Sequence, residues 1–501
     1  MQCCVSMLMT VRAIRECDTS CAIRERDAQH VMRVVRDAWC AIRDAHGVRE
    51  VGSVKDYRSV ADTVAAEIGA GRLKAGERLP TQREFARQYG IANSTATRVY
   101  QELARRGLTE GHVGRGTFVR DTSGTAAPPA PALSEPTGSR IDLELNYPVV
   151  PEQAELLAAG LGGLLRPERL DPVLRPVGAA GTPAARAAAA DLLARGGWRP
   201  DPARVLFAGS GRQAISAVVA ALTRPGARLG VEELTYPVLK AIATRLGVTL
   251  VPLAMDGAGL IPEAVEEAHR AGPLHAVYVQ PVLHNPLSLT MPAERLDRLA
   301  DVLLRCGIHA IEDAVWAFLR DDLPPLASRA PERTVLVDSL SKRLAPGLSL
   351  GFAVAPAAAS GAVAAALRSG GWTPMGFPLE AMAQWQAVGA VETLVRAKQR
   401  QAVERQEVAE RHLGGFVTRS APGSYYRWWE LPKPWRADTF VAAAARHGIA
   451  VTPAAAFAVG RHRGPHAIRL GLASPSAQTL SRALATLADL ARSAPEDLAQ
   501  D

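Results

Sequence analysis

Apolar positions between residues 57 and 107 recur every three to four residues. Tyr57, Val60, Val64 and Ile68 fall on one side of a first amphipathic helix, the period expected of a helix packed along one face. The loop GRLKAGERLP (71–80) follows. Thr81 with Glu84 three residues on has the form of a capping box, so a second helix starts there, runs through Tyr89 and closes at Gly90. Asn93 is suited to cap a third helix that reaches about Arg106 and ends at Gly107. Ala96, Val99, Tyr100 and Leu103 would face inward; Ser94, Thr95, Arg98 and Gln101 would face out. LTEGHVGRGTFVR (108–120) reads as a glycine-turned hairpin with Arg115 near its tip. Beyond residue 141 the period changes. Short apolar runs such as HAVYVQP (275–281), GIHAIEDAV (307–315) and TVLVDSLSK (334–342) alternate with helical stretches, which predicts an α/β domain on a largely parallel sheet.

Four segments follow from this pattern. Residues 1–50 repeat AIRE at 13–16 and 22–25 and AIRD at 41–44, and read as a low-complexity, dispensable extension or a start placed too far upstream. Residues 51–121 form the small helical domain. Residues 122–140 are rich in Pro, Ala, Ser, Thr and Gly, a linker composition. Residues 141–501 form the α/β domain.

Charge sharpens the picture. The chain carries a formal charge of +8, and residues 54–120 hold twelve Lys/Arg against seven Asp/Glu, a balance that permits nucleic-acid binding. Five of the six cysteines lie in the first forty residues, so the fold is not disulfide-stapled and a reducing compartment fits. The N-terminus has no basic residue ahead of its apolar patch and makes a poor export signal. The longest uncharged run, 344–367, contains prolines and glycines and is a poor membrane span. A cytoplasmic protein without membrane contact is therefore expected. No metal-ligand spacing stands out, and His462 and His466 read as bystanders in a polar loop.

The stretch GERLPTQREFARQYGIANSTATRVYQELARRGLTEGHVGRGTFV closely resembles the GntR-family winged helix-turn-helix. Small hydroxyls and an arginine at a helix N-terminus suit phosphate and base-edge contact in a major groove. By the resemblance, Arg83, Ser94, Thr95, Arg98 and Arg115 contact an operator in double-stranded DNA. The family's usual Ser-Arg pair before the recognition helix is Ala92-Asn93 here, which puts the usual operator preference in question.

In the larger domain, DSLSKRLAPGLSLGF (338–352) places a lysine beside serines at the end of a buried strand. That is an unusual place for a charge, and one suited to a Schiff base with an aldehyde cofactor. The run resembles the lysine motif of fold-type I aminotransferases, and pyridoxal 5'-phosphate is the cofactor it implies. Lys342 takes the Schiff-base position, with Ser339 and Ser341 near the phosphate. The turn GSGRQAIS (209–216) brings Ser210, Gly211 and Arg212 to the same group at a helix N-terminus. By the same resemblance, Tyr236 stacks on the cofactor ring and Asn285 meets its phenolic oxygen. Asp313 keeps the pyridine nitrogen protonated, and Arg469 clamps a ligand carboxylate. Two positions depart from the family pattern: Ser349 replaces an arginine at the phosphate, and Val315 replaces a tyrosine at the phenolic oxygen. Arg212 is expected to compensate in part for the first, and transamination to be weak or incomplete.

The combination of winged helix, proline-rich linker and aminotransferase-like domain resembles the MocR subfamily. This implies a homodimeric transcription regulator whose cofactor domain senses a small amine or amino acid rather than manufacturing a product. Two other readings stay open. One is an active pyridoxal-phosphate-dependent aminotransferase with a DNA-binding appendage; the other is a repressor whose second domain has lost the cofactor and only dimerises.

Overall fold

A computed structural model describes residues 57–69, 72–74, 76–105, 108–112, 116–119, 141–460 and 464–493. The segments 1–50 and 122–140 lie outside these residues, as do Gly107, Arg115 and His462. The chain divides into two compact units, 1–127 and 128–501.

The first unit holds helices α1 (Tyr57–Gly69), α2 (Gln82–Tyr89) and α3 (Asn93–Arg105), then strands β1 (Thr109–His112) and β2 (Gly116–Val119). Val60, Val64, Phe85, Ala96, Val99 and Leu103 close a common core, the set that helical periodicity selects. The capping box is present: Thr81 Oγ1 accepts from the Glu84 amide at 3.4 Å, and a Glu84 carboxylate oxygen accepts from the Thr81 amide at 2.9 Å. Gly90 ends α2 at φ 64°, in the left-handed region. The cap of α3 differs from expectation. Asn93 is the first helical residue, and the Ala92 carbonyl accepts the first helical bond, from Ala96 at 3.0 Å. The Thr97 hydroxyl instead ties this end to Gln82 at 2.9 Å. β1 and β2 pair antiparallel as the wing.

The second unit is built on a seven-stranded sheet. Its strands are β3 (Val205–Ala208), β4 (Arg228–Glu232), β5 (Thr249–Leu253), β6 (Ala276–Val279), β7 (His309–Asp313), β8 (Thr334–Ser339) and β9 (Gly351–Val354), in the spatial order β3-β9-β8-β7-β6-β4-β5. Only β9 runs against its neighbours. Both faces are covered, and strand alternation sorts the side chains. Tyr278, Ile311, Val335 and Val337 pack under α4 (Gly211–Leu222) and α5 (Ala357–Ser369). Val277, Val279 and Ala310 face Leu296, Leu299 and Leu303 on the other side.

A second, four-stranded antiparallel sheet contains β10 (Thr418–Arg419), β11 (Tyr426–Glu430), β12 (Thr452–Pro453) and β13 (Ala467–Gly471), in the order β10-β11-β13-β12. The long helix α6 (Ala390–Leu413) and the last helix α7 (Ala477–Arg492) pack on it through Val408, Leu413, Leu480, Leu484 and Leu487. The start of the unit is tied here too: the Leu143 amide donates to Ala450 and the Leu143 carbonyl accepts from Gly471. That anchorage delivers residues 144–147 to the carboxyl ends of the large sheet. The uncharged run 344–367 resolves into a turn, β9 and all but the last two residues of α5. Among the described residues no helix is long and apolar enough to cross a membrane.

Candidate functional site

Ligands of open α/β sheets sit beyond the carboxyl ends of the strands, where the following turns leave backbone groups unpaired. A cavity of about 360 Å³ opens at that edge. Its wall contains Ser210, Gly211, Arg212, Tyr236, Asn285, Asp313, Ser339, Ser341, Lys342 and Arg469. The structure thus gathers every cofactor-domain residue singled out above, from positions spread over 260 residues.

One end of the cavity is made for an anion. Ser210 caps α4, its hydroxyl accepting from the Gln213 amide at 3.2 Å. A helix of twelve residues turns its free amides toward the cavity. Opposite, the Ser339 hydroxyl accepts from the Ser341 amide at 2.9 Å and donates to the Ser341 hydroxyl at 2.7 Å. The two turns touch: a Cβ on Gly211 would lie 2.8 Å from the Ser339 Cβ, so this close approach requires glycine. Arg212 and Tyr236 line the cavity together, and Ser349 adds only a hydroxyl to the wall.

At the floor, Asp313 ends β7 almost fully buried. One carboxylate oxygen accepts from the Tyr278 hydroxyl and from Gln280 Nε2 at 3.2 Å; the other accepts from the Val315 amide at 3.1 Å. Burial nevertheless pushes its pKa up, against those bonds; a cationic partner there would hold the carboxylate ionised. Gln280 also accepts from the Asn285 amide at 3.0 Å, joining the two positions.

The sequence puts Lys342 at the end of the strand; the structure places it three residues past the last strand residue, Ser339. β8 stops at Ser339, whose capping hydroxyl turns the chain into a one-turn helix, Leu340–Arg343, that carries the lysine. Its amine lies 4.3 Å from the centre of the Tyr147 ring and 5.5 Å from that of Trp316, and donates to the Asn146 carbonyl. Burial, reinforced by the charges of Arg212, Arg469 and Lys398, lowers its pKa to about 7. The opposite wall belongs to Arg469. Its guanidinium donates to the Glu144 carbonyl at 2.6 Å and to Thr452 Oγ1 at 3.1 Å, and lies 5.4 Å from the ring centres of Tyr426 and Phe457. Burial lowers its pKa.

The residues present fit pyridoxal phosphate. Three buried polar atoms of this wall have no protein partner: Asn285 Oδ1, Asn146 Nδ2 and Arg469 Nε. Such atoms are costly unless a ligand satisfies them. The donor set matches as well: an anion cradle, a buried carboxylate for a ring N–H and an amine of lowered pKa. Sequence reasoning left out Asn146, Tyr147, Tyr278, Gln280, Trp316 and Tyr426. Gln280 stands five residues before Asn285 and Trp316 three after Asp313, a local signal that could have found them. Asn146 and Tyr147 have no local signal.

In the first unit, Arg83, Ser94 and Arg98 are exposed on α2 and α3, and Thr95 is half-buried. His466 is exposed.

A winged helix joined to a mixed-sheet fold of this kind, with a lysine, an aspartate and a phosphate-type cradle at one cavity, defines the class: a DNA-binding unit coupled to an aminotransferase-type domain. Residues 56–119 match the bacterial regulatory proteins of the gntR family, and residues 174–487 match aminotransferase class I and II. The HTH-type transcriptional regulator YdeF of Bacillus subtilis is 30% identical over 84% of this chain and 90% of its own. The pyridoxine biosynthesis regulator PdxR of Corynebacterium glutamicum is 27% identical over 84% and 93%. The probable rhizopine catabolism regulatory protein MocR of Rhizobium meliloti is 26% identical over 72% and 78%. An archaeal alanine:glyoxylate aminotransferase shares the fold, with a TM-score of 0.65 and 21% identity over 71% of this chain and 91% of its own. The chain belongs to the GntR-family HTH-type transcriptional regulators that carry an aminotransferase class I and II domain.

Proposed function

We propose that this regulator binds pyridoxal phosphate in the cavity at Lys342 and reads a small amine or amino acid there, changing its affinity for DNA. The observation that carries the reading is the convergence of Lys342, Asp313, Asn285, Arg469 and the serine turns on one cavity, in a chain that also carries a winged helix. When bound, the cofactor supplies an aldehyde that captures amines and a ring that withdraws electrons. Ser210, Ser339, Ser341 and the α4 amides hold its phosphate, aided by Arg212. Asp313 would keep a proton on the ring nitrogen, Asn285 would meet the phenolic oxygen and Tyr236 would hold the ring. Lys342 is half neutral near pH 7 and so presents a nucleophile without a separate base. Arg469 aims its free Nε at a carboxylate. Occupancy at Lys342 shifts the domain between states of different DNA affinity, which requires that the ligand bind them unequally.

Sensing is favoured over catalysis because Val315 and Ser349 withhold a phenolate donor and a phosphate charge. Arg83, Ser94, Thr95, Arg98 and Arg115 contact the operator. Leu174, Met375 and Phe377 are exposed on adjoining segments; such a patch suits a homodimer, which would offer two winged helices to two half-sites. The protein works in the cytoplasm.

The test is a titration of the parent and Lys342→Ala with pyridoxal phosphate, read by visible absorption, followed by DNA retention with and without candidate amino acids. A saturating band only in the parent, with amine-dependent retention and no keto-acid turnover, supports the sensor. Rapid turnover makes the protein an aminotransferase. No band in either protein rules the cofactor out.

A further inference from the structure

Helix α6 carries a lysine in a place where charge is rarely tolerated. Lys398 is 0% exposed, and lysines are almost never fully buried without a partner. Its Nζ donates to the Lys342 carbonyl at 3.0 Å and to the Leu344 carbonyl. Both acceptors belong to the end of the one-turn helix that presents Lys342. A helix end leaves carbonyls without intrahelical donors, and a cationic side chain there satisfies them and matches the end's partial charge. The lysine is itself fixed. The Tyr425 hydroxyl donates to the Lys398 carbonyl at 2.8 Å and to Gln401 Oε1 at 2.9 Å. The buried Asp338–Arg343 pair, 2.7 Å apart, holds the neighbouring residue of the same turn.

We infer that Lys398 is a positioning residue for Lys342: by tying the carbonyls of Lys342 and Leu344 to α6, it holds the turn that aims the Lys342 amine into the cavity. This rests on the reading of Lys342 as the cofactor's lysine. The amine of Lys342 has four side-chain torsions to explore, and only a fixed Cα restricts it to the space between Tyr147 and Trp316. Burial also lowers the Lys398 pKa to about 7, with Arg343 adding to the effect; either protonation state keeps N–H donors for the two carbonyls.

Two ligands separate positioning from general damage. Pyridoxal phosphate needs Lys342 in place to form its covalent link, whereas pyridoxamine phosphate has no aldehyde and uses only the rest of the cavity. The ratio of their apparent dissociation constants, measured in the full-length protein, should rise about tenfold in Lys398→Met, the weight of one charge-assisted hydrogen bond. It should stay near the parental ratio in Lys398→Arg, which keeps donors. Equal weakening for both ligands, or no change in the ratio, overturns the proposal. If Lys398→Met does not fold, the same ratio is measured in Lys398→Gln, which is too short to reach both carbonyls: a rise supports positioning, and an unchanged ratio overturns it. A parent that never shows the visible band fails the cofactor reading instead, and the two failures are distinguishable.

Discussion

Lys342 offers a sharp test of the site's electrostatics. Its pKa of about 7 stands against 10.5 for an ordinary lysine. At pH 7 the buried amine is about half deprotonated and an ordinary one about 0.03% deprotonated, a difference of about three powers of ten in reactive fraction. A less basic nucleophile is intrinsically slower; with a slope of about 0.4–0.5, as for thiolates, the net gain at neutral pH is about fortyfold. The rate of covalent capture of pyridoxal phosphate, followed by stopped-flow absorption at saturating cofactor, should therefore rise with pH and level off just above 7. Arg469→Gln removes one neighbouring positive charge. The protonated amine then becomes easier to hold, the pKa rises and the midpoint moves to higher pH. A parental midpoint above about 9, or a downward move in Arg469→Gln, refutes the reasoning.

Other perturbations test other parts. Gly351→Ala would set a Cβ 2.3 Å from the Ser210 carbonyl oxygen; the backbone must give way, costing about 1–3 kcal/mol of stability in denaturant and displacing the anion cradle, so cofactor affinity falls as well. Asp313→Asn deprives the ring nitrogen of its charged partner and should weaken pyridoxal phosphate by about 1.5–3 kcal/mol in the same titration. Arg343→Met leaves Asp338 buried and unpaired, at a cost of about 3–5 kcal/mol near pH 7. Burial already raises the Asp338 pKa and losing Arg343 raises it further, so the deficit should shrink as pH falls and the carboxyl protonates; urea unfolding at several pH values reads this. Arg98→Ala should weaken DNA retention across sequences and reduce the salt slope by about 1 if the contact is to phosphate.

Much of the site was readable because its residues sit at punctuation in the chain. Asp313 closes an apolar run, Gly211 opens a helix after one, and Lys342 follows one flanked by serines. Each interrupts a periodic pattern with a residue that the pattern does not need. Tyr278 was hidden by the opposite circumstance: in HAVYV an aromatic residue fits strand alternation, so nothing marks its hydroxyl as a partner of Asp313. Lys398 and Tyr426 likewise stand in ordinary helix and strand sequence. The cap of α3 was misread by one position, since Asn93 has the right chemistry for a cap while hydrogen bonding starts the helix on it.

By itself the sequence determined the two kinds of domain, the helices of the DNA-binding unit and the chemical groups at the strand ends, because helical and strand periods and turn chemistry act over a few residues. Only the tertiary structure decided what those groups face. The Ala473 amide meets Asn146 across 327 residues, and the Lys398 amine meets the Lys342 carbonyl across 56. The lowered pKa of Lys342 arises from burial and from charges on three other elements. Desolvation and Coulomb interaction depend on distance in space, and the local pattern of a chain carries no record of it.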